Sequence, residues 1–275
     1  EALRLMPASS KLLHKASPAA INMLRTEYYL WKAKRLGGGN AALSTAQSSV
    51  DAVLKAGYTL LPTFADIFNL NNEANSELIW TLPYIVNENV TPGTSPNFFA
   101  YYLAPNGDRT RLREAGYTED EVPAGSHAQY VVPTQAYCDF LAEDARDTRT
   151  DVSVRVFEDK FLTEEVQIKR MVVKFKGSFA NDTRSFDSDV PVYRLAEAYL
   201  LKAEVENALG NTDAALQNLN VVAKRAYGVD NYYTARTQDA IDNAIISEIL
   251  KEFVAESNAA RHKGFPFLLK FNSLQ

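Results

Sequence analysis

The stretch AEAYLLKAEVENALGNTDAALQNLN, Ala196 to Asn220, decides the fold. It reads as a helix, a stop at Gly210-Asn211 and a second helix. Ala196, Leu200, Ala203 and Asn207 recur at helical spacing, with bulk from Tyr199 and Leu200. Gly210 suits the left-handed residue that ends a helix. Thr212 or Asp213 is the expected cap of the next helix, whose apolar stripe is Ala215, Leu216, Leu219 and Val222. A turn this short holds two helices antiparallel and close. Small side chains let the backbones approach, so the alanines are expected to face another helix rather than an open core.

An earlier stretch repeats the arrangement. LRTEYYLWKAKRLGGGNAALSTAQSSVDAVLKAG, Leu24 to Gly57, sets Glu27, Tyr29, Leu30 and Ala33 in the order of Glu197, Tyr199, Leu200 and Ala203. Both copies reach Gly-Asn, at Gly39-Asn40 and Gly210-Asn211, and both resume with Ala-Ala-Leu. Each unit is close to the ~34 residues of a tetratricopeptide hairpin. The plainer alternative is two unrelated alanine-rich hairpins. Two hairpins are too few for a solenoid, so the intervening chain is expected to pack around them.

Between them, SELIWTLPYIV (Ser76–Val86) reads as a strand rich in β-branched and aromatic residues. NENVTPGTSPNFFAYYLAPNGD then reads as a long loop, of a length uncommon unless it has a task. PTQAYCDFLAEDARDTRTDVSVRVF suggests a short helix leading to a strand, and QIKRMVVKFKG another strand. DNAIISEILKEFVAESNAARHKGFPFLLKFN reads as one amphipathic helix and an apolar tail. The expected fold class is mainly α, with helical hairpins at about 18–57 and 190–228. A loop-rich region with a few short strands fills about 58–189, and a last helix and tail fill 239–275.

With 275 residues, 46% hydrophobic and 23% charged, the chain can bury a sizeable core. Its net charge of -5 argues against nucleic acid as a partner. No run of eighteen apolar residues predicts a transmembrane helix. The chain starts at Glu1 without an initiator Met, which reads as a mature form or a fragment. Cys138, the single cysteine, reads as a small apolar filler beside Tyr137 and Phe140.

Catalytic patterns are sparse. His14, His127 and His262 are scattered without metal-ligand spacing, so no metal or cofactor is expected. Gly37-Gly38-Gly39 lies between two helices rather than after a strand, unlike a phosphate-binding loop. Glu248, Glu252 and Glu256 form an i, i+4 column that reads as a solvated face. Asp139, Glu143, Asp144 and Asp147 with Arg146 and Arg149 read as caps and surface ion pairs. The aromatics of the long loop have two readings, a satellite core or a platform on which sugar rings stack.

The order of these features resembles the SusD/RagB family. Arg194, Ala196, Glu197, Leu200, Ala203, Glu204, Gly210, Asn211, Asn220 and Arg225 stand where that family's late helical segment has its motif. Gly57, Tyr58, Leu60, Phe68, Glu77 and Ile79 match an upstream segment, and Asp144/Arg146 or Asp147/Arg149 match an Asp-x-Arg segment between. The closing helix keeps Glu252 and Glu256 but lacks the family's Arg-Trp and Asp, and Val205 replaces an alanine. The resemblance therefore implies a divergent SusD-like domain over residues 1–275 that lacks an N-terminal portion.

It also implies an outer-membrane, cell-surface lipoprotein held by an N-terminal lipid anchor outside this chain. Such a protein binds oligosaccharides, or less commonly peptides, and passes them to a SusC-like TonB-dependent transporter without acting as an enzyme. Family ligand contacts fall in loops between the hairpins, here about residues 84–137. The candidates are Tyr84, Phe98, Tyr101 and Tyr102 for stacking, with Asn97 and Asn106 for amide contacts to hydroxyls. The alternatives are a helical-repeat scaffold for a protein partner and a glycan-active hydrolase with carboxylates hidden in loops.

Overall fold

The computed structural model describes residues 13–90, 132–159 and 167–256, together with positions 3, 113, 116–118 and 121. Two units emerge. One comprises 1–63, 74–82 and 191–275, and the other 64–73 and 83–190.

The first unit contains both hairpins. Helix α1, Pro18–Arg35, starts where the Ser17 hydroxyl accepts the Ala20 N–H at 3.2 Å, with proline in its first turn. Lys32, Lys34 and Arg35 fill its last turn, where cations oppose the negative end of the helix dipole. Helix α2, Gly39–Leu54, completes the hairpin. Strand β1, Leu78–Leu82, pairs with β6, Val190–Arg194, whose numbering anticipates the strands of the second unit. Pro83 follows β1 directly, so the strand is shorter than the expected Ser76–Val86; a proline has no N–H to extend the ladder. β6 likewise takes residues assigned from sequence to the second hairpin.

Helix α5, Leu195–Ala208, runs straight on from β6, and α6, Thr212–Tyr227, returns beside it. Gly210 sits between them at φ 84°, in the left-handed region that glycine enters without a Cβ clash. The cap of α6 is Asn211, whose side chain bonds Glu206 rather than a helix N–H, and not Thr212 or Asp213. Helix α7, Gln238–Glu252, starts at Thr237, whose hydroxyl accepts the Ala240 N–H.

Eleven of the 14 residues of α5 are buried. Ala196, Leu200 and Ala203 face Ala215, Leu216, Leu219 and Val222 of α6 and Ile241, Ile245 and Ile249 of α7. Ala198, Leu201 and Val205 pack instead with Met23, Leu30, Leu43, Ala46, Val50 and Val53 of the first hairpin. The alanines thus serve helix seams on both sides of α5, and Glu197, Glu204, Glu206 and Asn207 are buried along with them. The two hairpins meet directly.

The second unit is built from short pieces. Helices α3, Gln135–Leu141, and α4, Thr150–Ser153, precede β2, Val154–Asp159. β2 pairs antiparallel with β3, Gln167–Val172, in the register Val154↔Val172 to Asp159↔Gln167. β4, Ser178–Ala180, and β5, Thr183–Ser185, form a tight hairpin. Its two turn residues, Asn181 and Asp182, both have positive φ, which matches the twist of a two-residue hairpin turn. Phe64, Phe68 and Phe175 meet edge-on, and the buried ammonium of Lys174 lies 4.8 and 4.6 Å from the first two ring centroids.

Candidate functional site

Of the six site residues read from the sequence, Tyr84 falls within the described residues. Asn97, Phe98, Tyr101, Tyr102 and Asn106 lie outside them. The Tyr84 ring is half-buried, and its N–H donates to the Asp189 carboxylate at 3.0 Å. The Asp189 N–H in turn donates to Glu73 at 2.9 Å. Asn89 closes the next turn by accepting the Ile85 N–H and donating to the Pro83 carbonyl, each at 2.7 Å. The chain entering the long loop is therefore held by carboxylates and an amide, while Leu82 and Ile85 stay exposed.

Two other aromatics of this region are half-buried. Tyr117 meets Phe157 edge-on at 5.7 Å, and Tyr137 stacks on Phe140 at 6.2 Å. Burial pushes the Tyr137 hydroxyl well above its usual titration range. Cys138 beside it is buried, and burial likewise raises its thiol, so the inert-filler reading stands.

The densest charged cluster lies in the other unit and is closed to solvent. Arg194, Glu77 and Glu252 have fully buried side chains. Arg194 grips Glu256 through two hydrogen bonds of 2.8 and 2.9 Å, reaches Glu252 at 2.6 Å and Glu77 at 3.1 Å, and donates to the Glu252 carbonyl at 2.9 Å. Arg225 bridges Glu77, at 2.7 Å, to Glu252. The second Glu77 oxygen also accepts the Leu61 N–H at 3.0 Å. The Phe253 ring lies 4.3 Å from the Arg194 guanidinium carbon. Burial alone would lower the Arg194 pKa. Glu256, Glu252 and Glu77 outweigh it and hold the group well above its ordinary value.

This arrangement corrects the solvated reading of the glutamate column. Glu248, Glu252 and Glu256 are buried, and Glu248 accepts the hydroxyls of Tyr227 and Tyr233 at 3.0 and 2.8 Å. The reason is the arrival of two arginines from β6 and α6, which spacing within α7 cannot reveal. Asp147 and Arg149 are corrected in the same way. Their side chains are each 1% exposed and bond at 2.7 and 2.8 Å, whereas Asp144–Arg146 is the more exposed pair. A carboxylate sealed behind two guanidinium groups cannot meet a substrate, so the cluster is a structural node. The sequence signal for it is an arginine inside the apolar run VPVYRLAEAYLL. Among the described residues, no group of His, Cys, Asp and Glu is placed to hold a metal ion. None of the described helices is long and apolar enough to cross a membrane.

Comparison with known proteins agrees with this frame. Residues 161–260 match the SusD family model. A SusD-like protein, P25, from Formosa agariphila is 28% identical over 233 residues, covering 75% of this chain and 43% of the relative. A solved SusD superfamily protein from Bacteroides fragilis superposes with a TM-score of 0.71 at 28% identity, over 88% of this chain and 52% of its own. A surface glycan-binding protein A from Bacteroides uniformis shares the fold with a TM-score of 0.63 at 21% identity, over 89% of this chain and 48% of its own. The chain thus spans about half the length of these relatives. Family model, curated relative and solved structures agree that the chain is similar to proteins of the SusD/RagB family.

Proposed function

We propose that the chain binds oligosaccharides at a bacterial outer surface and delivers them to a TonB-dependent transporter without cleaving them. The observation that carries this reading is the SusD family match at 161–260, within which 195–252 carry helices α5, α6 and α7. A glycan-binding protein that shares the fold adds support. Closure of the densest carboxylate cluster favours binding over hydrolysis, because each of its three acids is engaged by arginine. The ligand surface is assigned to the loop region 84–137, with Tyr84, Phe98, Tyr101 and Tyr102 for stacking and Asn97 and Asn106 for hydroxyl contacts. The anchored turn at Tyr84 gives that loop a fixed root. Attachment to the outer membrane by a lipid, and peptides as a less common ligand, belong to the same proposal.

The test is retention of purified protein on a panel of insoluble polysaccharides, with reducing ends measured in the supernatant. Co-purification with a co-expressed transporter examines the delivery step. The proposal expects retention, no reducing ends and a stable complex. Reducing ends abolished by one carboxylate substitution would replace it with the hydrolase reading. A partner protein captured with no glycan retained would replace it with the scaffold reading.

A further inference from the structure

We propose that the outer face of α6 carries a separate subsite for a short neutral oligosaccharide, an inference that rests on the glycan-binding reading and adds a place to it. A cleft of ≈ 510 Å³ lies between α6 and the segment leading to α7, within the ~300–1,000 Å³ range of small-ligand sites. Asp213, Gln217, Asn220 and Lys224 run along its helical wall, and residues 230–236 form the other. From Asp213 to Lys224 the helix rises ~16 Å, the length of an oligosaccharide rather than one sugar.

The two walls are tied together at Asn220. Asn220 accepts the Tyr233 N–H at 2.8 Å and donates to the Tyr233 carbonyl at 2.9 Å, which pins the segment to the helix. Lys224 pairs with Asp230 and Arg236 with Asp213, each at 2.6 Å. The four charges sum to zero, so the cleft carries no net charge. Its remaining polar side chains, Gln217, Asn231 and Thr234, are exposed, neutral and make no side-chain hydrogen bond among the described residues. Carboxamides and a hydroxyl donate and accept at once, as sugar hydroxyls do. Leu216 and Val221 add an apolar lining for the C–H face of a sugar ring. A carboxylate or sulfate ligand would instead have to draw Lys224 or Arg236 away from its aspartate.

The test maps backbone amide shifts of the whole chain during titration with maltotriose, cellotriose, xylotriose and mannotriose, with trigalacturonate as the acidic probe. At least one neutral trisaccharide is expected to shift amides of 213–224 and 230–236 saturably, and trigalacturonate to leave them unmoved. The double variant Gln217→Ala/Asn231→Ala should weaken that binding about fivefold, as for loss of ordinary hydrogen bonds, at an unchanged unfolding midpoint. Shifts confined to other residues overturn the subsite while leaving glycan binding intact. Preference for trigalacturonate, unchanged binding by the double variant, or no shift with any of the four neutral sugars also overturns it. Polysaccharide retention judges the broader reading independently.

Discussion

The two helical hairpins share a motif but have opposite surroundings. Leu30 of α1 and its counterpart Leu200 of α5 are both buried. Ala33 is half-buried, while Ala203 is sealed. The contrast sharpens one face further round the helix. Ala198 and Leu201 of α5 pack into the first hairpin, whereas the residues 170 positions earlier, Tyr28 and Trp31, are 50% and 51% exposed, and Leu24 is exposed beside them. The same local sequence pattern therefore makes a shared wall in one copy and an open flank in the other. What differs is the neighbour, and with it the chemistry that the face tolerates.

Polar contacts follow the same division. The seam between the hairpins is laced by Lys34–Glu204 at 2.7 Å, Lys202 to Asp51 and Glu206 at 2.6 and 2.7 Å, and Gln47–Glu206 at 2.8 Å. Tyr193 donates to Glu27 at 2.6 Å. On the far side of α5, Arg194 organises the closed charged node. Each contact gains its worth from the burial of α5, and among the described residues the flank of α1 shows no equivalent.

The sharpest way to break the comparison is at the node. Arg194→Ala leaves Glu77, Glu252 and Glu256 buried without their principal cation and should cost about 3–5 kcal/mol. The matching position in α1, Leu24→Ala, should change stability by less than about 0.5 kcal/mol. Urea denaturation compares the two, and equal effects would dissolve the distinction. Leu201→Ala should cost about 2–5 kcal/mol through lost burial and a cavity, with Trp31→Ala near neutral by the same measurement. Ala203→Leu should cost about 1–3 kcal/mol by overpacking the α5–α6 seam, more than Ala33→Leu, as a shift in thermal midpoint would show.

The smallest effect concerns pH. Burial alone would raise the Glu206 pKa, but hydrogen bonds from Lys202, Gln47 and Asn211 outweigh it and bring it below the usual carboxylate range. A carboxylate held lower in the folded state stabilises it above its unfolded pKa of ~4.3, and that share fades as pH falls through the folded value. Glu206→Gln should therefore be less stable than the natural chain at pH 6, by a margin that shrinks as the pH falls below ~4.3. A constant difference across that range would remove Glu206 from the seam's energetics.

Much of the helical frame was legible because it is local. Helical spacing, Gly210 and the shared Gly-Asn and Ala-Ala-Leu elements mark both hairpins without reference to anything distant. β6 was hidden because VPVYR runs straight into a helical pattern, and its strand character depends on pairing with β1 far upstream. The tight turn at Asn181-Asp182 carried a signal that was passed over, since two residues suited to positive φ stand between short extended runs. Glu77, Arg194, Arg225, Glu252 and Glu256 were each visible as motif positions, but their union was not. It joins four segments across the first unit, and side-chain ion pairs leave no periodic trace. The aromatics of the proposed ligand loop gave a composition, which cannot distinguish a buried ring from an open one. Tyr84 proved half-buried at a pinned turn, and the other five candidates lie outside the described residues.

Native-state hydrogen exchange tests most directly the claim that α5 is the shared wall of the fold. Amides deep inside the core exchange through global unfolding, and those at exposed edges through smaller openings. The account predicts that the α5 amides around Leu200 and Ala203 are the slowest in the molecule and track the global unfolding free energy as denaturant is added. Amides of α1 around Tyr28 and Trp31 should exchange faster and with a weaker denaturant dependence. Protection of α1 equal to or greater than that of α5 would contradict it.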